Sequence, residues 1–572
     1  MDTLLSDTTS PPPVTFTLNG APARVDDGIS LLDALREELG CRSVKDGCSP
    51  QGQCGCCTVW VDGLPRVACV TPVRRIAGRA VTTLEGVAPA LRDRWADAFV
   101  AAGASQCGFC TPGILMRLAA LEPTTTGQSP TRDDIEAALR AHLCRCTGWQ
   151  TIVEAACAAL GVTDAAFAHE RDESAGRDPV LAAWRAEMEG GALQTSGHDV
   201  VVGSGGFADD GSPADALLQL GAGAPLADGF RAARAGTGRV QGRNSTVPLS
   251  HPVGVPAGDW AVTLQTTWVE PAYVEPDASW SLPGHRPATP LANGGAFGGK
   301  RRSTVPARAR ELADESGRAV RVLWHREDVV RRGPKRPPLA LGLRADGSGL
   351  LRVARTPGSE DLAPLVARMA EHAPDVEVEL VDVAGPPVSP DLRGAVWAEL
   401  LAARAVAASG RRSGEASPAG TGRASVSVPG AGRAEVGLRL DEGGRGRLHV
   451  DVRAGAVLDR VTLRSYALGA VHAALGLVWS EGVAVDDDGE PLDLTIRSFG
   501  ILAARDMPEV SVDLHEEEED GWPVNGSDAV FAATLAAAWL AEGLPACWPT
   551  RRTAVRSPRR DVAASGRREE RP

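Results

Sequence analysis

Apolar and polar positions alternate through VTFTL and stop at Asn19-Gly20, which predicts a strand running into a two-residue hairpin turn. The pattern then lengthens to a helical period in LLDALREEL, with Ser30 placed to cap its first turn. Helical spacing recurs in LRDRWADAFVAAG and GILMRLAAL, and Thr131-x-x-Asp134 forms a capping box ahead of IEAALRAHL. Near the other end, Asp528 followed by AVFAATLAAAW reads as another helix start. No run approaches the roughly 20 apolar residues that span a bilayer, so no membrane partner is expected.

Composition changes this picture little. A length of 572 residues predicts three or four domains, and 43% hydrophobic with 23% charged residues describes globular material able to bury a core. The net charge of -13 argues against nucleic acid or an anionic membrane as the main partner. MDTLLSDTTSPPP lacks the basic and apolar regions of a signal peptide, so a reducing, cytoplasmic location is expected. HERDESAGRDP (169 to 179) reads as a linker, SGRRSGEASPAGTGRAS (409 to 425) as a flexible insert, and the last two dozen residues as a disordered tail.

The chemistry lies in the cysteines. Cys48, Cys54 and Cys57 share a tight loop, with Cys69 returning from the next strand, close to the plant-type ferredoxin pattern of three clustered thiolates and a distant fourth. Five residues rather than four separate Cys48 from Cys54, so the loop must bulge, and Gly47, Gly52 and Gly55 supply the backbone freedom for this. Cys56 and Cys41 read as buried thiols rather than ligands. A second quartet pairs Cys107 and Cys110 in CxxC with Cys144 and Cys146 in CxC, each pair at a junction between helices. Structural zinc also takes four thiolates, but its partner motif is a second short-spaced pair rather than CxC, and it would leave the first quartet unexplained. Two iron-sulfur clusters are the expectation, which makes the chain an electron carrier.

QCGFCTPG followed by CRCTGW, together with the first quartet, resembles the iron-sulfur subunit of the molybdenum hydroxylases, the xanthine dehydrogenase and aldehyde oxidase family. The resemblance covers the first 165 positions. It implies an α+β multidomain protein: a β-grasp ferredoxin domain (12–90) and a four-helix domain (91–165), each with one 2Fe-2S cluster. After a linker (166–186) would come a reduced hammerhead-like domain (187–255), a shortened α/β molybdopterin-binding-like region (256–547) and a tail (548–572). By position, the resemblance sets Gln106 and Cys146 beside the pterin.

Three later segments resemble the family's large subunit: WVEPAYVEPDASW leading to NGGAFGGK, the run SYALGAVHAALGLVWSEG to DMPEVSV, and NGSDAVFAATLAAAW. In NGGAFGGK, Gly294, Gly295, Gly298 and Gly299 let amides approach an anion or oxo group. Gly295, Ala296, Phe297 and Gly298 would then face molybdenum, whereas Lys300 reads as a solvated surface charge. The departures are substantial. The second half is short, and Val524, Asn525, Gly526 and Ser527 stand where the family's catalytic glutamate is expected. Neither Asn nor Ser can deprotonate a metal-bound hydroxyl at neutral pH. Asp528 reads as the start or cap of its helix, and HEEEED (515 to 520) as a solvated loop.

Two readings follow. In one, a small-molecule substrate is oxidised at a molybdopterin site in this chain, and electrons leave through both clusters to a flavin-containing or other acceptor subunit. In the other, the second half is a non-catalytic docking body, and the chain serves a separate molybdenum catalytic subunit.

Overall fold

In a computed structural model of the chain, residues 12–122, 129–163, 177–237, 247–289, 295–359, 361–414, 420–516 and 521–552 are described. The linker, the flexible insert and the C-terminal tail lie wholly or partly outside them, as do Gly294 and most of the HEEEED run.

The N-terminal sheet has the order β2-β1-β5-β3-β4, built from β1 (Val14–Leu18), β2 (Ala21–Val25), β3 (Thr58–Val61), β4 (Leu64–Val67) and β5 (Ala80–Thr82). β1 and β2 form the hairpin expected from Asn19-Gly20, both with positive φ, and β1 also pairs parallel with β5. Ser30 accepts a hydrogen bond from the Asp33 amide, as a cap should, and the helical segment it starts is fully covered along Leu31, Leu32 and Leu35. Four helices follow: Pro89–Ala102, Thr111–Leu118, Arg132–Ala138 and Gln150–Leu160. The Thr131 capping box is present in both directions.

Among the described residues, the second half holds three four-stranded sheets. The first has the order β7-β6-β10-β9, from β6 (Leu217–Leu220), β7 (Leu226–Asp228), β9 (Ala278–Ser281) and β10 (Val320–Leu323). The second is β13-β12-β11-β8, from β8 (Val262–Gln265), β11 (Leu339–Leu343), β12 (Gly349–Arg355) and β13 (Val376–Asp382). The third is β14-β15-β16-β17, from β14 (Thr421–Ser427), β15 (Arg433–Arg439), β16 (Arg447–Arg453) and β17 (Glu509–His515). The boundary expected at residue 255 cuts through the first sheet. β6 pairs antiparallel with β7 on one side and parallel with β10, from the far side of that boundary, on the other.

The helix Arg460–Trp479 organises the second half, with every residue from Val461 to Trp479 buried. It packs on Ser527–Ala541, another helix apolar on all sides, which in turn lies under β14 and β15. Contrary to the sequence expectation, Arg460–Trp479 is long and apolar enough to cross a membrane by length and composition. In this fold 89% of that apolar window is buried within the protein.

The junction between this helix and the cluster domain is made by glycines. A Cβ at Gly469 would lie 1.9 Å from the Cys146 carbonyl, and one at Gly148 would lie 2.3 Å from the Leu468 carbonyl. Both are below any tolerable contact, so the helix and the CRCTGW turn touch backbone to backbone. Around them, Trp149 Nε1 donates to the Leu502 carbonyl at 2.9 Å, and Arg464 forms a two-pronged pair with Glu154.

His472, in the middle of that helix, is fully buried and bonds the Leu502 carbonyl at 3.0 Å. Burial and the nearby Arg145 charge lower its pKa from 6.5 to about 4. The folded protein therefore binds fewer protons than the unfolded chain between these values. The contribution is complete above pH 6.5 and is lost as pH falls towards 4, amounting to about 3 kcal/mol. Melting temperatures measured from pH 7 to pH 4 should fall less steeply for His472→Gln than for the wild type.

Candidate functional site

The first cysteine quartet is held by the loop between the initial helix and β3. Gly52 and Gly55 take positive φ (+72° and +73°), as the bulged loop requires. Gly47 serves differently, through space: a Cβ there would sit 3.0 Å from Cys54 Sγ and 3.1 Å from Cys56 Sγ. Backbone amides turn towards sulfur, with Gln51 N and Gln53 N at 3.1 and 3.4 Å from Cys48 Sγ and Cys69 N at 3.4 Å from Cys57 Sγ. The thiols of Cys54 and Cys69 hydrogen-bond Cys48, and Cys69 also reaches Cys57, so all four expected sulfurs come together.

The second quartet closes in the same way. Cys107 Sγ and Cys146 Sγ are 3.8 Å apart, and Cys144 hydrogen-bonds both Cys110 and Cys146. Cys110 precedes the helix Thr111–Leu118, and CRC precedes Gln150–Leu160, which places both pairs at helix starts. In each quartet one sulfur is held well below the usual thiol range by its neighbours' S–H groups, Cys48 by Cys54 and Cys69, Cys144 by Cys110 and Cys146. All eight side chains are buried.

Cys41 stands apart, its thiol raised to about 11 by burial and by the Glu85 carboxylate. Cys56 lies between the quartets, bonding the Cys54 carbonyl and sensing the Cys144 sulfur. Backbone contact joins the two loops here. Leu143 N donates to the Cys54 carbonyl at 3.0 Å, and a Cβ at Gly113 would lie 2.4 Å from the Gly55 carbonyl. His142 fills this seam with its pKa lowered to about 3 by burial, so it is neutral.

The second half covers the first quartet too. Gln51 Nε2 donates to the Leu494 carbonyl, and Arg497 donates to the carbonyls of Gln53 and Arg140 at 2.8 and 2.9 Å. Arg497 thus sets a positive charge beside Cys48 and Cys54.

The expected pterin contacts are occupied by protein. Gln106 Nε2 donates to the Cys146 carbonyl at 3.0 Å and to Ser465 Oγ at 3.1 Å, tying it to the helix Arg460–Trp479. Gly295 (φ +79°) lies against Arg145, and Gly298 (φ +96°) is so close to the Asp391 carbonyl that a Cβ would come within 1.8 Å of it. The Arg393 guanidinium sits 5.0 Å from the Phe297 ring and 6.0 Å from Phe531. Arg145, from the CRC turn, makes a buried two-pronged pair with Glu481. Lys300 is not a surface charge: it is buried, 2.7 Å from Glu275 and above the Tyr273 ring, because the loop folds onto the carboxylates of VEPDASW.

At the start of the helix Ser527–Ala541 the cap comes from elsewhere. Asn525 Oδ1 accepts from the Asp528 amide, while Glu189 accepts from the amides of Gly526 and Ser527 at 3.0 and 2.8 Å. Asp528 pairs with Arg393 at 2.8 Å instead of capping. Glu189 escaped the sequence reading. Its one local signal was the helical spacing from Arg185, with which it is also paired at 2.6 Å. With both oxygens accepting from amides and Arg185, it is a structural acceptor and not a free base.

A pterin cofactor needs a pocket of roughly 300 Å³ or more. Among the described residues, the cavity bounded by Arg145, Ala296, Phe297, Arg393 and Phe531 measures about 50 Å³. The one bounded by Gln106, Ser465 and Tyr466 measures about 20 Å³. The donor set that would hold molybdopterin is present in part, and the Arg145–Glu481 pair and Arg393 line the little space that remains. The group does not fit this arrangement.

Residues 12–85 match the family of 2Fe-2S iron-sulfur cluster binding domains, and residues 83–157 match the [2Fe-2S] binding domain. The chain is 39% identical over 142 residues to the nicotinate dehydrogenase small FeS subunit of Eubacterium barkeri, covering 24% of this chain and 87% of that protein. The chain belongs to the molybdenum hydroxylase family. It carries two 2Fe-2S domains. The xanthine dehydrogenase iron-sulfur-binding subunit of Escherichia coli O157:H7 is 40% identical over 140 residues, covering 24% of this chain and 87% of that subunit. The aldehyde oxidoreductase of Megalodesulfovibrio gigas is 41% identical over 153 residues, and there the match takes in 26% of this chain but only 16% of the relative.

In fold the likeness extends further. The crystal structure of the aldehyde oxidoreductase from Desulfovibrio desulfuricans superposes with a TM-score of 0.69, covering 93% of this chain and 97% of that one at 16% identity. The fold is thus mixed α+β and multidomain, and the sequence relatives of 39–41% identity are oxidoreductases or their subunits.

The Arg145–Glu481 pair is the clearest energetic test of this junction. Burial pushes the Glu481 carboxyl up, and Arg145 is its counterion. Glu481→Gln strands a buried guanidinium, which costs about 3–5 kcal/mol. A lowered melting temperature with parallel loss of iron from the second quartet is expected, measured by thermal unfolding and iron analysis.

Proposed function

We propose that this chain is the electron-transfer component of a molybdenum hydroxylase system, with its second half acting as a scaffold over the clusters and not as a molybdenum active site. The observation that carries the proposal is the closed space at Arg145, Phe297 and Arg393, where only about 50 Å³ remains. The absence of a free carboxylate at Val524 to Ser527 points the same way, since Glu189 is fully engaged as a cap there.

In this reading Cys48, Cys54, Cys57 and Cys69 hold one 2Fe-2S cluster, and Cys107, Cys110, Cys144 and Cys146 hold the other. These clusters supply one-electron redox chemistry when bound. The residues of the chain do the rest. The hydrogen bond from Leu143 N to the Cys54 carbonyl links a ligand of one quartet to the neighbour of a ligand in the other, giving a short connected path between them. Sulfur-directed amides at Cys48 and Cys57, and the Arg497 charge, stabilise the more negative reduced state. Tight cover by the second half keeps water from the sulfurs.

A separate molybdenum catalytic subunit would supply electrons from its small-molecule substrate, and a flavin-containing or other subunit would accept them. The relatives named as small FeS subunits support such a division of labour.

The test is iron, molybdenum and pterin analysis of the full chain purified anaerobically from a host that makes the molybdenum cofactor. Four irons per chain with neither molybdenum nor pterin is the expected result, and stoichiometric molybdenum would overturn the closed-site reading. Within the same assay, Cys107→Ser should lose about two irons and the spectroscopic signal of one cluster. Cys56→Ser and Cys41→Ser should keep all four.

A further inference from the structure

The outer face of the sheet β14 to β17 carries a group of side chains that electron transfer does not use. β16 and β17 run parallel with His449 opposite Ser511 and Asp451 directly opposite Asp513. Like charges facing each other across a strand pair are destabilising unless a cation lies between them. The guanidinium of Arg423, on β14, pairs with Glu435, the residue opposite Asp451 on β15, and reaches Asp451 only through space.

His449 is set to answer this. Its Nε2 is 3.3 Å from Asp451 Oδ2 and 3.5 Å from Asp513 Oδ2. For zinc bound at 2.0–2.2 Å to nitrogen and oxygen, the edges of a tetrahedron are about 3.3–3.6 Å, so these two separations match two edges, and all three ligand atoms lie within 4.8 Å of one another. The ring's other nitrogen, Nδ1, lies 2.8 Å from Ser511 Oγ. With Nδ1 as donor to that hydroxyl, the Nε2 lone pair faces the two carboxylates, which is the tautomer a metal requires. His515 Nε2 is 2.8 Å from Asp451 Oδ1, the oxygen not facing His449, and so orients that carboxylate from behind. The strand register keeps the fourth side open: Gly437 faces His449 across β15, and a Cβ placed on it would meet nothing within 4 Å.

We infer that His449, Asp451 and Asp513 form a site for a divalent transition metal of the zinc class, with His515 and Ser511 orienting the ligands and water completing the shell. An imidazole among only three protein ligands favours zinc, nickel or copper over calcium or magnesium, which seek more oxygen donors. Bound there, the ion would clip β17, the edge strand of the sheet, to β16. The site is independent of the clusters and of the electron-transfer reading.

The experiment uses the full chain, free of any affinity tag, with four irons confirmed so that vacant cysteines cannot capture zinc. Equilibrium dialysis against zinc buffered by a weak chelator, read by elemental analysis, should give one zinc per chain and a raised melting temperature. His449→Gln and Asp513→Asn, both on the exposed face, should each weaken zinc binding at least tenfold while iron content stays at four. Absence of zinc from the wild type would overturn the site and leave His449 as a simple hydrogen-bonding bridge between the two carboxylates. Undiminished zinc in both variants would overturn it equally, because the ion would then lie elsewhere.

Discussion

Backbone-to-backbone contact between the CRCTGW turn and the helix Arg460–Trp479 is the constraint on which the rest of this structure depends. With Gly469 1.9 Å from the Cys146 carbonyl by its missing Cβ, and Gly148 similarly placed against Leu468, the second half cannot move away from the helical cluster domain without opening a polar, glycine-lined seam. Gln106, Arg145, Trp149 and Glu154 all send their side chains across that seam. A glycine contact of this kind has no flexible atom to yield, so the approach is all or nothing.

That closeness explains both what the second half provides and how little space it leaves. It provides cover: the four sulfurs of each quartet are buried, and Arg497 brings a charge to the first. It also leaves only about 50 Å³ beside Phe297, because the same approach brings Arg145 into a two-pronged pair with Glu481 and leaves Arg393 between Phe297 and Phe531. Buried ion pairs of this type add little net stability, but they fix register, since either partner alone is costly. The overall path of the chain resembles that of an aldehyde oxidoreductase from Desulfovibrio desulfuricans, and fold by itself does not fix what a site holds.

The cluster half was legible in the sequence because its signals are local. Cysteine spacing reports which sulfurs can converge, Asn19-Gly20 reports a hairpin, and Thr131 with Asp134 reports a helix start, each within a few residues. The second half was less legible because its decisive contacts join separate segments, from 25 positions apart at Lys300 and Glu275 to 338 at Ser527 and Glu189. Lys300 looked like a surface charge until the fold set it on Glu275 and Tyr273, and Asp528 looked like a cap until Asn525 and Glu189 took that place. For the same reason a sheet crosses the boundary expected at 255, since β6 pairs with β10.

The sequence by itself therefore determined the two sulfur quartets, the elements that carry them and the lack of a free carboxylate at Val524 to Ser527, because each is a statement about residue type and short spacing. Only the tertiary structure decided that Cys56 lies between the quartets, that Arg497 reaches the first, and that the space beside Phe297 is closed. Those outcomes depend on how closely separate segments approach, and approach distance is set by the packing of the whole core, which no local pattern encodes.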